Sequence, residues 1–329
     1  MRDGRPPKSS FSRRRNPIFP NGTTRRFDEG QPVDAPLAET RTPFATLDSR
    51  FRENDGFGDI EEADSRNLQG RRSRCDRRYT VAVTALRIVS LVPSLTELVF
   101  AFGRGDWLAG RTRFCSEPAD AVSGVPIVGG TKNPVIARIV NAAPDLVIAN
   151  REENRKEDID ALEAAGLRVL VTDPNSVAEA IAMITELGAL LDAADAASVL
   201  AAEIERSLAS VVRRSKPPGV FVAVWSDPLM GLGGNAYGHD LIERCGARNV
   251  LREQSRYPQL TMDELRALEP DLILLPDEPF PFAQKHVPAF SGIALAVVVD
   301  GKLTWWYGPR MPEAIRTLSQ LFATTAGRG

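Results

Sequence analysis

Two histidines, His239 and His286, and three cysteines, Cys75, Cys115 and Cys245, are all that 329 residues offer of either type. So few histidines exclude a multi-histidine metal centre. An odd cysteine count without metal-like spacing indicates neither a zinc site nor a disulfide framework. Apolar runs are short, none reaching the ~18 residues that span a bilayer. Charge of one sign is lacking too: 41 Lys and Arg stand against 43 Asp and Glu, net −2, so no global field attracts nucleic acid. The opening thirty residues are basic but hold neither the apolar core of a secretory signal nor a lipobox.

Residues 1–85 also lack periodic apolar positions. They are rich in Arg, Asp, Gly, Pro and Ser and cannot bury enough surface to offset their ordering entropy. Two readings are open: a disordered tail or a start placed too far upstream, and a basic arm built on Arg13–Arg15 and Arg71–Arg72. Interspersed acidic residues favour the first.

Order begins at RIVSLVPSLTELVFAFG. RIVSLV is the continuous β-branched run of a strand buried on both faces. SLTELVFAFG predicts a helix capped by Ser94, with Glu97 completing a capping box and Gly103 ending it. Strands follow at WLAGRT, IVGG, DLVIAN and RVLVTD, with helices at PVIARIVNA and RKEDIDALEAAG. A second cycle runs through GVFVAVWS, YGHDLIERCG, TMDELRALE, DLILLP, AVVVD and PEAIRTLSQLFATT. Alternating short strands and amphipathic helices predict parallel sheets covered on both faces.

The two cycles repeat one local pattern. AAPDLVIAN (142–150) and LEPDLILLPDE (268–278) each read as helix end, Pro-Asp, buried strand, polar stop. The chain is therefore two similar α/β lobes in tandem, 86–175 and 216–325. Between them, 176–215 has helical spacing throughout: a lobe-1 helix at about 176–191, then a connecting helix at about 194–214, which would be about 30 Å long.

RIVSLVPSLTELVFAFG, VGGTKNP, APDLVIANREEN and EPDLILLP, in this order with a helix between two α/β halves, resemble the iron-complex and vitamin B12 substrate-binding proteins of ABC importers. The likeness is greatest to the cobalamin-binding branch of these helical-backbone metal receptors, and it covers about 86–322. It implies an α/β fold of two Rossmann-like three-layer lobes joined by a single long α-helix, the class III periplasmic-binding-protein arrangement. It further implies a monomer that performs no catalysis, needs no cofactor, and holds a metal chelate such as a corrinoid, haem or iron siderophore between its lobes. A periplasmic location is implied as well, against which stands the missing signal, so the compartment is left open.

Ligands of parallel α/β sheets lie beyond the carboxyl ends of the strands. In lobe 1 these ends carry Pro93, Ser94 and Glu97, then Arg113 and Phe114, then Thr131 and Lys132. After DLVIAN come Arg151, Glu152 and Asn154. In lobe 2 they carry Trp225, Tyr237, Tyr257, Asp277 and Glu278, then Trp305, Trp306 and Tyr307. Flat aromatics suit a macrocycle's face, though a single Trp is equally a packing residue. TWWYGPR, read as a strand-to-loop exit, cannot point all three rings into one core. By the resemblance, Tyr257 and Trp306 fall at ligand-facing aromatic positions, whereas the matching lobe-1 position is Thr131. The run REENRKED has two compatible readings: a helix start capped by Asn154, and a cleft mouth hydrogen-bonding the ligand's amides.

The resemblance also implies an ABC permease as partner, docked through one exposed acidic residue per lobe. Asp263, with Glu264 beside it, matches in lobe 2; in lobe 1 the position is Ala137. The rivals are an enzyme acting on a nucleotide or tetrapyrrole in the same cleft, and a cytosolic corrinoid-binding module without a transporter. Against the enzyme, Glu97, Glu152, Asp277 and Glu278 are scattered and lack a histidine partner. GLGGNA (231–236) imitates a dinucleotide fingerprint, but SDPLM separates it from its strand. Cys115 has no neighbouring base and reads as a structural thiol.

Overall fold

The computed structural model describes residues 85–325; Cys75 and the tail-or-arm segment lie outside the described residues, apart from Ala85. The first lobe comprises β1 (Ile88–Ser90), α1 (Pro93–Ala101), β2 (Leu108–Arg111), α2 (Ala119–Val122), α3 (Ile136–Asn141), β3 (Leu146–Asn150), α4 (Lys156–Ala164) and β4 (Val169–Thr172). Its strands are all parallel, in the order β2-β1-β3-β4. Helices α5 (Val177–Leu190) and α6 (Ala194–Ala209) follow.

The second lobe opens with β5 (Gly219–Ser226) and β6 (Leu229–Gly231), an antiparallel hairpin, then α7 (Tyr237–Arg244), β7 (Arg248–Asn249) and α8 (Met262–Ala267). It closes with β8 (Leu272–Pro276), β9 (Leu295–Val299), α9 (Lys302–Trp305) and α10 (Met311–Thr325). Its order is β6-β5-β8-β9, with β7 also paired to β5. Among the described residues no helix is long and apolar enough to cross a membrane.

The repeated Pro-Asp performs the same task twice. In lobe 1, Ala143 turns the chain after α3 with φ +44°, and in lobe 2 Glu269 does so after α8 with φ +45°. The Asp145 carboxylate then accepts the Arg87 amide at 2.7 Å, and the Asp271 carboxylate accepts the Gly219 amide at 2.6 Å. Each aspartate thereby pins the start of a neighbouring strand, a charged hydrogen bond worth about 1.5–3 kcal/mol.

Strand alternation sorts the core. Ile88, Leu146, Ile148, Val220, Val222, Leu272 and Leu274 point into one apolar cluster shared by both lobes, together with α1, α5, α6 and α10. Their alternates point outward: Val89 and Val147 into a lobe-1 cluster, Phe221, Ile273 and Leu275 into a lobe-2 cluster. The period of two is thus read against two different partners. Among the cross-lobe ties, Asp240 of α7 accepts the Val177 amide at the start of α5 at 2.8 Å.

Several local expectations are corrected. The connecting helix ends at Ala209, not near 214; its 16 residues span roughly 24 Å, and irregular chain leads from there to β5. Val92, not Ser94, caps α1, because Pro93 takes the first helical position, where its missing N–H is harmless. Residues 127–130 form isolated bridges, not a strand, since Gly129 turns at φ +132°. Trp305 and Trp306 lie at the end of α9, not at a strand exit.

Candidate functional site

Both lobes wall one cleft of about 420 Å³ at the carboxyl ends of β1, β3, β5 and β8. Lobe 1 supplies Pro93, Phe114, Thr131, Lys132, Asn150, Glu152 and Glu153. Its loops are tied together from below by Asn154, which is buried. The Asn154 side-chain amide donates to the Leu91 and Thr131 carbonyls at 3.3 and 3.0 Å and accepts the Asn150 amide at 2.9 Å. Three loops thus hang on one side chain. The predicted cap of α4 is instead Arg155, without a side-chain bond. Above it, the Asn150 side chain accepts the Glu152 and Glu153 amides at 2.9 and 3.2 Å, fixing the turn that presents both glutamates.

Lobe 2 supplies the larger share of aromatic surface. Tyr237, Tyr257, Trp305, Trp306 and Tyr307 line the cleft beside Val224, Gly238, Glu278 and Pro279. Tyr237 and Tyr307 pack edge to face with centroids 5.6 Å apart. Burial holds both phenols well above their ordinary range. The Tyr237 hydroxyl is one of two buried side-chain polar atoms without a hydrogen-bond partner among the described residues. Trp306 is only 7 % exposed: Lys302 and Arg310 each sit 5.4 Å from its ring centroid, and its indole lowers the pKa of the Glu278 carboxyl. Phe114 across the cleft is 56 % exposed and is the open aromatic face.

Two bridges join the walls. At one, the Tyr257 hydroxyl donates to both oxygens of Glu152 at 3.0 Å, and Arg256 pairs with the same carboxylate. Burial first, then the Glu152 carboxylate, raises the Tyr257 pKa, so the phenol stays a donor. At the other, Arg310 binds Glu97 at 2.9 Å and Glu117 at 3.3 Å, while Lys302 binds Glu117 at 2.5 Å. Glu153 and Glu278 stand apart from these pairs. Burial raises the pKa of each; Lys132 opposes the shift at Glu153 and Glu152 adds to it, while at Glu278 Trp306 and Lys302 oppose it and Asp277 and Glu153 add to it.

Of the residues expected at the site, the cleft gathers Pro93, Phe114, Thr131, Lys132, Glu152, Tyr237, Tyr257, Glu278, Trp305, Trp306 and Tyr307. The others have different tasks. Ser94 is buried in α1, Glu97 is in the second bridge, and Arg113 is exposed outside the lining. Arg151 pairs with Asp173, Trp225 packs edge-on against Phe280, and Asp277 accepts the Gly301 amide. Asn150, Glu153, Val224, Gly238 and Pro279 were missed. Asn150 carried a signal, a polar residue ending a buried apolar strand.

The docking candidates also separate. Asp263 is exposed and pairs with Arg266 at 2.6 Å, whereas Glu264 is engaged in a capping box with Thr261. Ala137 is exposed on α3. The fingerprint-like glycines use their amides internally: Gly233 and Gly234 donate to the Arg256 and Gln254 carbonyls. Cys115 and Cys245 are buried.

Comparisons with known proteins agree with this architecture. The chain is 25% identical over 244 residues to the vitamin B12-binding protein of Yersinia pestis (strain Pestoides F), covering 73% of this chain and 86% of that protein. Among solved structures it is similar to the periplasmic heme-binding protein BhuT in complex with two hemes, with TM-score 0.63, 26% identity, and coverage of 73% and 98%. It also shares its fold with the periplasmic vitamin B12 binding protein BtuF of Vibrio cholerae, with TM-score 0.62, 20% identity, and coverage of 74% and 99%. A model of the family described as periplasmic binding protein matches residues 88–286, and the chain belongs to that family.

Proposed function

We propose that this protein is the substrate-binding receptor of an ABC-type importer, periplasmic by kinship, and that it holds a corrinoid or a related macrocyclic metal chelate between its lobes without transforming it. The observation that carries the reading is the two-walled cleft, in which exposed Phe114 of lobe 1 stands with Tyr257 and Trp305 of lobe 2. Apolar area with a few polar groups at its edge suits a flat macrocycle. The relatives named as binding vitamin B12 and heme support the same class of cargo. The partnerless Tyr237 hydroxyl is a buried group that a ligand would satisfy. For catalysis the cleft offers carboxyls but no histidine: His239 hydrogen-bonds Asn249, and His286 packs against Phe280 and Phe282.

The test is a calorimetric and visible-absorbance titration of the full chain with cyanocobalamin, cobinamide and haem. One-to-one saturable binding of at least one of them, weakened at least about tenfold by Phe114→Ala, is expected; about 1.4 kcal/mol corresponds to that factor. Failure to bind any of the three would remove the macrocycle from the reading. A receptor without a permease is favoured by one feature, the neutral Ala137 where lobe 1 would present its acidic contact. Co-purification with a membrane permease would dispose of that second reading.

A further inference from the structure

The charges lining the cleft are unequal. Glu152, Glu153 and Glu278 face a single lysine, Lys132, and Lys132 already donates to the Glu152 carbonyl. Cations nearby are committed elsewhere: Arg256 to Glu152, Lys302 to Glu117, Arg310 to Glu97 and Glu117. Arg113 is exposed beside Phe114 but outside the lining. Glu152 is satisfied by Arg256 and the Tyr257 hydroxyl. Glu153 and Glu278 are left without a paired cation among the described ion pairs; Lys132 and Lys302 act on them from beyond ion-pair distance, and the Trp306 indole, a neutral donor, also lowers the Glu278 pKa.

We propose that the cleft selects macrocyclic chelates whose rims carry neutral amide donors over those whose rims carry carboxylates, with Glu153 and Glu278 as the specificity-determining residues. This deepens the receptor reading and rests on it. An amide N–H donated to a half-buried carboxylate forms a charge-assisted hydrogen bond, stronger than a neutral one. It also relieves the burial that disfavours the bare anion, which is the first cause of the raised pKa of both groups. A rim carboxylate brought to the same place meets three carboxyls against the single lysine Lys132 in the lining, a rejection built from repulsion. Such a cleft disfavours the propionates of haem and accepts the propionamides of a corrinoid. Glu153 follows β3 and Glu278 follows β8, so each lobe contributes one of the two carboxyls.

The decisive probe keeps shape and changes one charge. Full chain is titrated at neutral pH with cyanocobalamin and with the separated isomeric monocarboxylic acids made by hydrolysing one propionamide. At least one isomer should bind at least about tenfold more weakly than the parent. In Glu153→Gln/Glu278→Gln that gap should close to within about threefold, while Glu157→Gln on exposed α4 leaves it unchanged. If the double variant fails a thermal-melt check, Glu153→Gln and Glu278→Gln alone should each narrow the gap. All isomers binding within threefold of the parent, or a gap that persists in the glutamine variants, overturns the assignment. Haem bound without cyanocobalamin also overturns it and leaves the receptor reading standing; no binding of cyanocobalamin, cobinamide or haem removes the macrocycle from that reading, and this inference with it.

Discussion

Removing Arg310 tests the interlobe bridge most directly. Its guanidinium binds Glu97 at 2.9 Å and Glu117 at 3.3 Å and lies over Trp306. The Arg310 and Glu97 side chains are 20 % and 15 % exposed, so this pair is largely withdrawn from water. Breaking a buried pair by deleting one partner costs about 3–5 kcal/mol; the residual exposure argues for the lower end. We expect Arg310→Ala to lose about 3 kcal/mol, or roughly 6–12 °C in melting temperature for a folded unit of this size. Neutralising the stranded partner should recover part of it, with Arg310→Ala/Glu97→Gln about 1–2 kcal/mol more stable than Arg310→Ala alone.

The loss also has a pH signature. The Glu97 pKa is raised, chiefly by burial and against the pull of Arg310, and losing Arg310 raises it further. A carboxyl with a raised folded pKa contributes most stability below its unfolded pKa and loses it as pH rises through the folded value. The defect in Arg310→Ala should therefore be largest at pH 7–8 and shrink as Glu97 protonates in mild acid. Urea unfolding of the parent and both variants across that range checks both claims. A single variant within about 0.5 kcal/mol of the parent at pH 8, or a defect that grows in acid, would refute the reasoning.

Two further outcomes follow from local geometry. A Cβ at Gly129, where φ is +132°, would stand 2.7–2.8 Å from backbone atoms of Val135, Asn133 and Pro134. Gly129→Ala should therefore lower stability by about 3 kcal/mol or more; a urea midpoint unchanged from the parent would contradict the turn. Burial pushes the Cys245 thiol up to about 12, so at pH 8 native protein should take up alkylating reagent at Cys245 only after denaturant is added. Labelling of that residue at the rate of a free thiol, read by mass spectrometry, would show the packing to be wrong.

Much of the fold was legible because it is written in periodic apolar positions and in a repeated Pro-Asp. Strand cores such as Leu146–Ala149 and Leu272–Leu275 are short unbroken runs, and no competing structure buries them so well. Helix starts were less legible. Ser94 and Asn154 have the chemistry of caps, but Pro93 displaced the first and a three-loop junction recruited the second. Neither cause is local to the motif. The aromatic wall was readable from residue type and strand position, yet Trp225 went to Phe280 and Trp306 under two cations. Exposure of a ring is settled by neighbours distant in sequence. Glu153 was invisible for a related reason: within REEN only the Asn150 turn brings the second carboxyl to the cleft beside Glu152.

The apolar cluster that runs unbroken from β1 through α5 and α6 to β8 and α10 has a thermodynamic consequence for recognition. Two walls sharing one interior cannot be ordered separately, so their relative placement is fixed when the chain folds and not when a ligand arrives. The entropy of assembling the cleft then falls on folding, and association need restrict little beyond the ligand itself. A cleft made in this way discriminates by fit to a standing shape. It would show small heat-capacity and compactness changes on binding, beyond those expected from the surface the ligand covers.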